Sequence, residues 1–412
     1  MRRTTCRLCG GTDLRRVVPL PATTLADHYR VPGAPELPRY PMDVHQCGVC
    51  WHVQLLDVVD PAVLFHADFT YMPSNNPALR RHFESYARLV SGIWAAGWDS
   101  PSAATPRALD IGSNDGLYLD VLRDIAGATV LGLDPARGPV EHARSIGVES
   151  INDFLSPESA RTVLATHGYA DLVSANNVYA HTDDLEGFTR IVESLMAPRG
   201  VFTFEFSYLR DVVEKGLLGT FFHEHLSTHS VTSLVPFLER LGLRLIHVER
   251  VDTQGGAAIG VAVRSDDPRD QDESVTVALD DEARLGLGSF EGMEEFRRRV
   301  EADRSRVREI LAAHHEDRVV GFGAARSANL LVEYFDLARV LRYVVDDNPA
   351  KLGKVWNRGG FPIRATAELA TERPDLVVCL AWIHTANVTA RVKELLGDSV
   401  GVLQLYPAVR LV

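Results

Sequence analysis

The sequence predicts an α/β chain of three modules: a small cysteine-rich module at the N-terminus, a central Rossmann-like domain, and a second Rossmann-like α/β unit at the C-terminus. Three observations carry this. Two Cys-x-x-Cys pairs fall within the first fifty residues. Strand-like apolar runs alternate with amphipathic runs between residues 107 and 207, and a second alternation begins near residue 316. Strands alternating with helices are the mark of a parallel, doubly wound sheet. A chain of 412 residues is long enough for two or three domains with cores of their own. The expected bounds are 1–66, 67–264, a linker and helix over 265–315, and 316–412.

The net charge of −12 argues against general affinity for phosphate backbones or anionic membranes. No run of about 18 apolar residues is present, so no membrane span is expected. The start, MRRTTCRLCG, is basic but lacks the apolar core of a secretory signal. A cytoplasmic location and a monomer or weak dimer are expected.

In the first module, Cys6-x-x-Cys9 and Cys47-x-x-Cys50 have the knuckle spacing of a tetrahedral four-thiolate zinc site. Disulfides are the alternative, but a chain without a secretory signal resides where thiols stay reduced. Four thiolates leave no open coordination position, so this zinc is expected to be structural. Cys379, in DLVVCLAW, is expected to be a buried core thiol.

A helical stretch follows, NPALRRHFESYARLVSGIWAAG, and then a proline-containing linker. ALDI, ATVLGLD, ADLVSAN and GVFTFEF read as strands; DGLYLDVLRDI, GPVEHARSIG and DLEGFTRIVESLM read as helices. LRLIHVERV and AAIGVAVRS form a hairpin-like pair around Gly255-Gly256. Residues near 265–282 are acidic and read as a linker. SFEGMEEFRRRVEADRSRVREILAAHH is amphipathic, with Phe290, Met293, Phe296, Val300, Val307 and Leu311 along one stripe, and is expected to space the domains. The second α/β unit then runs through RVVGFGAARSANLLVEYF, LRYVVDDNPAKLG and DLVVCLAW.

In LDIGSNDGLYL a strand enters a loop with Gly112 and Gly116, and a helix starts at once. Gly112 lets backbone approach a ligand, and the helix start offers N–H groups. Asp134 ends the next strand, where an acid can bond both hydroxyls of a ribose. The loop is not Gly-x-Gly-x-x-Gly: Asn114 and Asp115 stand in it, and Asp115 would repel a pyrophosphate. Together with Asp110 it suits the cationic sulfonium and amino-acid end of S-adenosylmethionine (SAM). Asp153, in INDFL, stands where an adenine amino group is often met, and Asn176 and Asn177 close the ADLVSAN strand. A nicotinamide dinucleotide is the alternative ligand.

These motifs, with NNVYAHTDDL, FEFSYLRDVVEKG, FFHEHLSTHS, VDTQGG and GFGAARSAN…VVDDNPAKLG in that order, resemble the C-methyltransferases of nucleotide-linked ketosugars from antibiotic deoxysugar pathways. The resemblance covers essentially the whole chain. It implies a zinc-binding N-terminal domain, a central SAM domain, and a C-terminal α/β domain, with the sugar nucleotide between the last two. It implies methylation at C3, or for some members C5, of a 4-keto-6-deoxyhexose. The family block Tyr-His-Glu-His corresponds to Phe222-His223-Glu224-His225, so His225 is the implied base, Glu224 the implied acid, and one hydroxyl is lost at Phe222. His181 in VYAH matches a second active-site histidine, and Tyr71 lies near a family tyrosine. The family's Thr-His-Gly-Gly-Ser-x-Arg reads Thr253-Gln254-Gly255-Gly256-Ala257-Ala258-Ile259, placing Gln254 at the substrate side without the histidine or arginine.

Methylating carbon needs a carbon nucleophile, which a carbon next to a ketone becomes on losing its proton. A neutral imidazole, with an ordinary pKa near 6.5, is a fitting base. The enolate oxygen needs a donor, for which His181, Tyr71 and Tyr179 are candidates. His-x-His is not the i, i+4 pair of metalloproteases, which argues against a metal in FFHEHLSTHS. His223 is expected to be structural or to support the site from behind, and His229 to be a surface or capping residue. Arg326 in the GFGAARSAN loop suits a nucleotide diphosphate, with Asn329, Asp347 and Asn348 nearby. Two rival functions remain: SAM-dependent O-methylation of a sugar or other small molecule, and nucleic-acid binding by the zinc knuckles. The acidic balance weighs against the second.

Overall fold

A computed structural model describes residues 1–64, 72–97, 105–316 and 318–412. Among the described residues the strands form three sheets. The first is antiparallel: β1 (Leu14–Val18), β2 (Val44–Cys47) and β3 (Val53–Leu55), extended by β9 (Ser227–Thr228) from far along the chain. Val53 pairs with Thr228 and Gln54 with Ser227. The N-terminal module is therefore built into the central one, two residues beyond His225.

The central sheet contains β4 (Arg107–Ile111), β5 (Thr129–Leu133), β6 (Glu149–Ile151), β7 (Ala170–Ser174), β8 (Met196–Ser207), β10 (Leu243–Val251) and β11 (Ala257–Arg264), in the order β10-β11-β8-β7-β4-β5-β6. β4 to β8 pair in parallel, and the β10–β11 hairpin joins β8 antiparallel. Helices cover both faces, which is why β4, β5 and β7 read as near-continuous apolar runs. The expected helix before the sheet is Pro77–Ala95. The Asn76 side chain caps it, Pro77 opens it, and its buried stripe includes Phe83, Tyr86, Val90 and Trp94.

The third sheet has β12 (Val319–Phe322), β13 (Val344–Asp346), β14 (Ile363–Ala365), β15 (Leu376–Cys379), β16 (Gly401–Gln404) and β17 (Arg410–Leu411), ordered β14-β13-β12-β15-β16-β17 and parallel except for β17. Cys379 is fully buried in it, as expected, and burial pushes its thiol up to about 11. Both Rossmann-like units use one device. The acid ending the second strand clasps the loop after the first: Asp134 accepts from Asn114 N and Ala136 N, and Asp346 from Ala324 N and Asn348 N.

The acidic stretch expected as linker is partly ordered. Glu273–Arg284 is a helix, capped by Asp272. Its charges masked a short buried stripe of Val275 and Ala278, and Glu282 is buried where it accepts from Val231 N and Thr232 N at the start of the preceding helix, Val231–Arg240. The long helix, Glu291–Ala313, buries Met293, Phe296, Val300, Val307 and Leu311 as the stripe predicts. It does more than space the domains. One apolar core joins Val17 and Met42 of the first module, Phe221 of the central one, Phe296 of the helix, and Leu331 and Trp356 of the last. No helix among the described residues is long and apolar enough to cross a membrane.

Candidate active site

The cofactor loop is formed as its residues require. Gly112, Asn114 and Gly116 have φ of +71°, +48° and +80°, in the left-handed region. A Cβ on Gly112 would lie 2.3 Å from Val178 Cγ2. Asp134 keeps a lone pair on each oxygen beyond its two backbone bonds, which fits two ribose hydroxyls; burial holds its pKa up. Asp110 is buried under the loop, where Ser174 Oγ donates to it at 2.6 Å, and burial raises its pKa to about 7. A cationic ligand nearby favours its ionised form. Asp115 does not present its charge to the site as expected. It is fully buried, and its carboxylate caps the following helix, accepting from Ser74 N and Leu117 N. Asp153 is exposed on the loop after β6 and accepts from Phe154 N. Asn177, after β7, has φ +56°, and its N–H donates to Glu205 O of β8.

The histidine block is a turn, not a helix, between Leu218–Thr220 and β9. His223 and Glu224 are buried, whereas Phe222 and His225 stay partly open. His225 Nδ1 lies 2.7 Å from Thr220 O. A carbonyl only accepts, so Nδ1 carries the proton and Nε2 the lone pair. Burial pulls the His225 pKa to about 4, so the ring is neutral at pH 7. His181, also partly open, stacks on His225 at 5.3 Å between centroids, and burial holds it well below the ordinary value. The Phe222 ring lies 3.9 Å from that of His225. His223 bonds Tyr40 O of the first module through Nε2, a structural role as expected.

From the C-terminal unit, the Arg326 guanidinium pairs with Glu224 and with Asp27, and sits 5.7 Å from the Phe222 centroid. Lys351 pairs with Asp27 at 2.6 Å. Asn329 is buried and its amide donates to Leu25 O of the first module. Gln254 is exposed on the β10–β11 turn with φ +54°. Asn348 accepts from Ala350 N in a turn after β13. Tyr71 lies outside the described residues. Tyr179 is fully buried and its hydroxyl pairs with Thr189 in the core.

His229 is the residue whose expected place is overturned. It is fully buried, stacked between Tyr179 and His52 at 5.3 and 5.4 Å, because the β3–β9 pairing draws it inside. Two further residues, Glu205 and His82, escaped the motif reading. Glu205, buried on β8, accepts from His82 Nε2 at 2.7 Å and from Thr253 Oγ1 at 2.6 Å. An acid inside an apolar strand was the available signal.

The four N-terminal sulfurs converge: Cys6 lies 3.5 Å from Cys50 and Cys9 3.6 Å from Cys47, all within 4.8 Å of one another. None is in a disulfide. Tetrahedral Zn–S bonds of about 2.3 Å imply sulfur separations of about 3.8 Å, so the set fits one zinc ion.

Families described as "Putative zinc binding domain", "Methyltransferase domain" and "C-methyltransferase C-terminal domain" match residues 6–65, 79–248 and 252–403 in turn. The C-methyltransferase NovU of Streptomyces niveus is 30% identical over 402 residues, spanning 95% of this chain and 93% of that protein. The chain belongs to the C-methyltransferase family. It is a SAM-dependent methyltransferase with a zinc-binding N-terminal module. Similar solved structures include the magnesium protoporphyrin IX methyltransferase ChlM from Synechocystis PCC 6803 with bound SAM, at 16% identity over 49% of this chain and 88% of that one, TM-score 0.33. The plantazolicin methyltransferase BpumL with bound SAH is 10% identical over 47% and 87%, TM-score 0.37.

Proposed function

We propose that this C-methyltransferase acts on a nucleotide-linked 4-keto-6-deoxyhexose of an antibiotic deoxysugar pathway, at the carbon next to the ketone, C3 first and C5 second. The observation that carries the reading is the tautomer of His225. Its Nδ1 proton is committed to Thr220 O, which leaves an unprotonated Nε2 on a partly open ring. That nitrogen takes the α-proton of the ketosugar. His181, stacked alongside, donates to the enolate oxygen as charge develops there. SAM, when bound, supplies the electrophilic methyl group. Asp110, Asn114, Asp134 and Asn177 line the loop that would hold it, with Asp153 at its edge. Phe222 excludes water from one face of His225, and Glu224 fixes Arg326 against Phe222. Arg326 and Lys351 are cations suited to the diphosphate.

The test is incubation with SAM and a panel of nucleoside-diphosphate 4-ketosugars, read by mass spectrometry. One added methyl group on at least one ketosugar is expected. In heavy water a C-methyltransferase of this kind also exchanges the α-proton of its substrate. Methylation without any such exchange would instead mark transfer to oxygen.

A further inference from the structure

Arg7 stands inside the first zinc knuckle, between Cys6 and Cys9, yet its side chain is completely buried. Burying a guanidinium is costly unless its donors are met. Here Nε and Nη1 are met by β3 and by the two segments that carry the histidine pair, while Nη2 makes only an ion pair with Asp183. Nη1 donates to Leu226 O at 3.3 Å, the residue after His225, and to Leu55 O and Gln54 Oε1 on β3. Nε and Nη2 lie 3.1 and 3.0 Å from Asp183 Oδ1, two residues after His181. The segments are also tied to each other, since Ser227 N donates to Ala180 O. Leu55 N donates to Leu226 O and His52 Nε2 bonds Ser227 Oγ, so the contact with the module is continuous.

We propose that Arg7 is a positioning residue: it transmits the order of the zinc knuckle to both histidine segments and sets the separation of His181 and His225. A guanidinium fork fixes direction as well as distance, which a lysine ammonium does not. Its backbone runs between two zinc thiolates, so the ordered knuckle fixes where the fork starts. This rests on the assignment of His225 and His181 to proton handling. Zinc in this protein then acts on turnover through geometry, without touching the substrate.

The test uses the full chain with zinc content measured. Arg7→Met and Arg7→Lys are compared with wild type for methyl transfer to a dTDP-linked 4-keto-6-deoxyhexose and for amide hydrogen exchange by mass spectrometry. The expected result is a fall in kcat of roughly 10- to 100-fold with the KM for SAM within about twofold. Exchange is expected to quicken in segments 179–184 and 223–228 but not in 117–126, at one zinc per chain. Arg7→Lys is expected to recover only part of kcat. If Arg7→Met does not fold, Asp183→Ala removes the Asp183 arm of the bridge from its partly exposed end, with the fall in kcat and the quickened exchange in 179–184 expected again. Wild-type kcat and wild-type exchange in a zinc-loaded variant would overturn the proposal. Full turnover by His225→Ala and His181→Ala would instead remove the assignment beneath it.

Discussion

His225 Nδ1 lies 2.7 Å from the carbonyl oxygen of Thr220, five residues earlier in the same turn. This one bond decides which nitrogen would serve as the base in the proposed reaction, because the carbonyl cannot donate. It predicts that His225→Ala loses α-proton exchange and methyl transfer together, on the order of 10³-fold. His181→Ala, which removes a donor but not the base, is expected to lose roughly 10²-fold. Rates measured by deuterium incorporation and methyl transfer check both. Equal losses in the two variants would assign the proton to neither ring alone.

The acid limb of activity follows from burial. His225 titrates near 4 rather than the ordinary 6.5, so its base form persists as the solution is acidified. Exchange of the ketosugar proton is expected to hold from pH 7.5 down to about 5.5 and to halve only near 4 to 5. A rate already halved at pH 6.5 would mean that the base is a hydrated imidazole, not this one.

The same shifts govern stability. His223 and His229 also sit near 4, both held down first by burial. The unfolded chain binds protons at about 6.5, above the native values, so between 6.5 and 4 it holds more protons than the native state. Stability is therefore complete above about pH 6.5 and is lost as pH falls toward 4. For the fully enclosed His229 the loss is about 3 kcal/mol at the acid end. Urea unfolding at pH 7.5 and 5 should show a lower midpoint at pH 5, and His229→Phe should flatten the difference.

Zinc should be present at one ion per chain and bound through Cys6, Cys9, Cys47 and Cys50. Because β2 and β3 flank the second knuckle and β3 pairs with β9, losing the ion is expected to loosen more than the first module. Removal by a strong chelator, or Cys50→Ser, should lower the first unfolding midpoint by roughly 5 °C or more, seen by calorimetry. A chain that keeps its midpoint without metal would show that thiols and packing suffice.

Much of this fold was legible because its signals are local. Paired cysteines at knuckle spacing, the glycines around Gly112, and the Phe296 stripe each state their role within a few residues. What escaped is long-range or disguised by composition. Glu273–Arg284 looked like linker because it is rich in acids and only Val275 and Ala278 form a buried apolar stripe, and nothing nearby in sequence shows that Glu282 turns inward to the Val231 helix start. Asp115 looked like a charge offered to a ligand because nothing nearby in sequence shows that Ser74 N reaches it. His229 looked like a cap, since its burial depends on β9 joining a sheet formed some 170 residues earlier. Arg7 was read past for the same reason: its partners, Asp183 and Leu226, lie 176 and 219 residues away.

The cofactor loop allows a sharper test than removing a charge. Gly112 has φ +71°, and an added Cβ would stand 2.3 Å from Val178 Cγ2, the segment leading to His181. An alanine there meets two penalties: a left-handed backbone, costing about 1 kcal/mol, and a clash that one valine methyl must relieve by moving. Both act on the loop proposed to hold the cofactor, while the zinc module is untouched. Gly112→Ala is therefore expected to fold and bind one zinc, yet to weaken SAM at least roughly tenfold by calorimetric titration. Gly127→Ala serves as the control: it also has positive φ, +64°, but nothing lies within 4 Å of its added Cβ. It should shift stability by about 1 kcal/mol and leave SAM affinity unchanged. Equal SAM affinity in both variants would mean that the cofactor does not lie against the β4 loop.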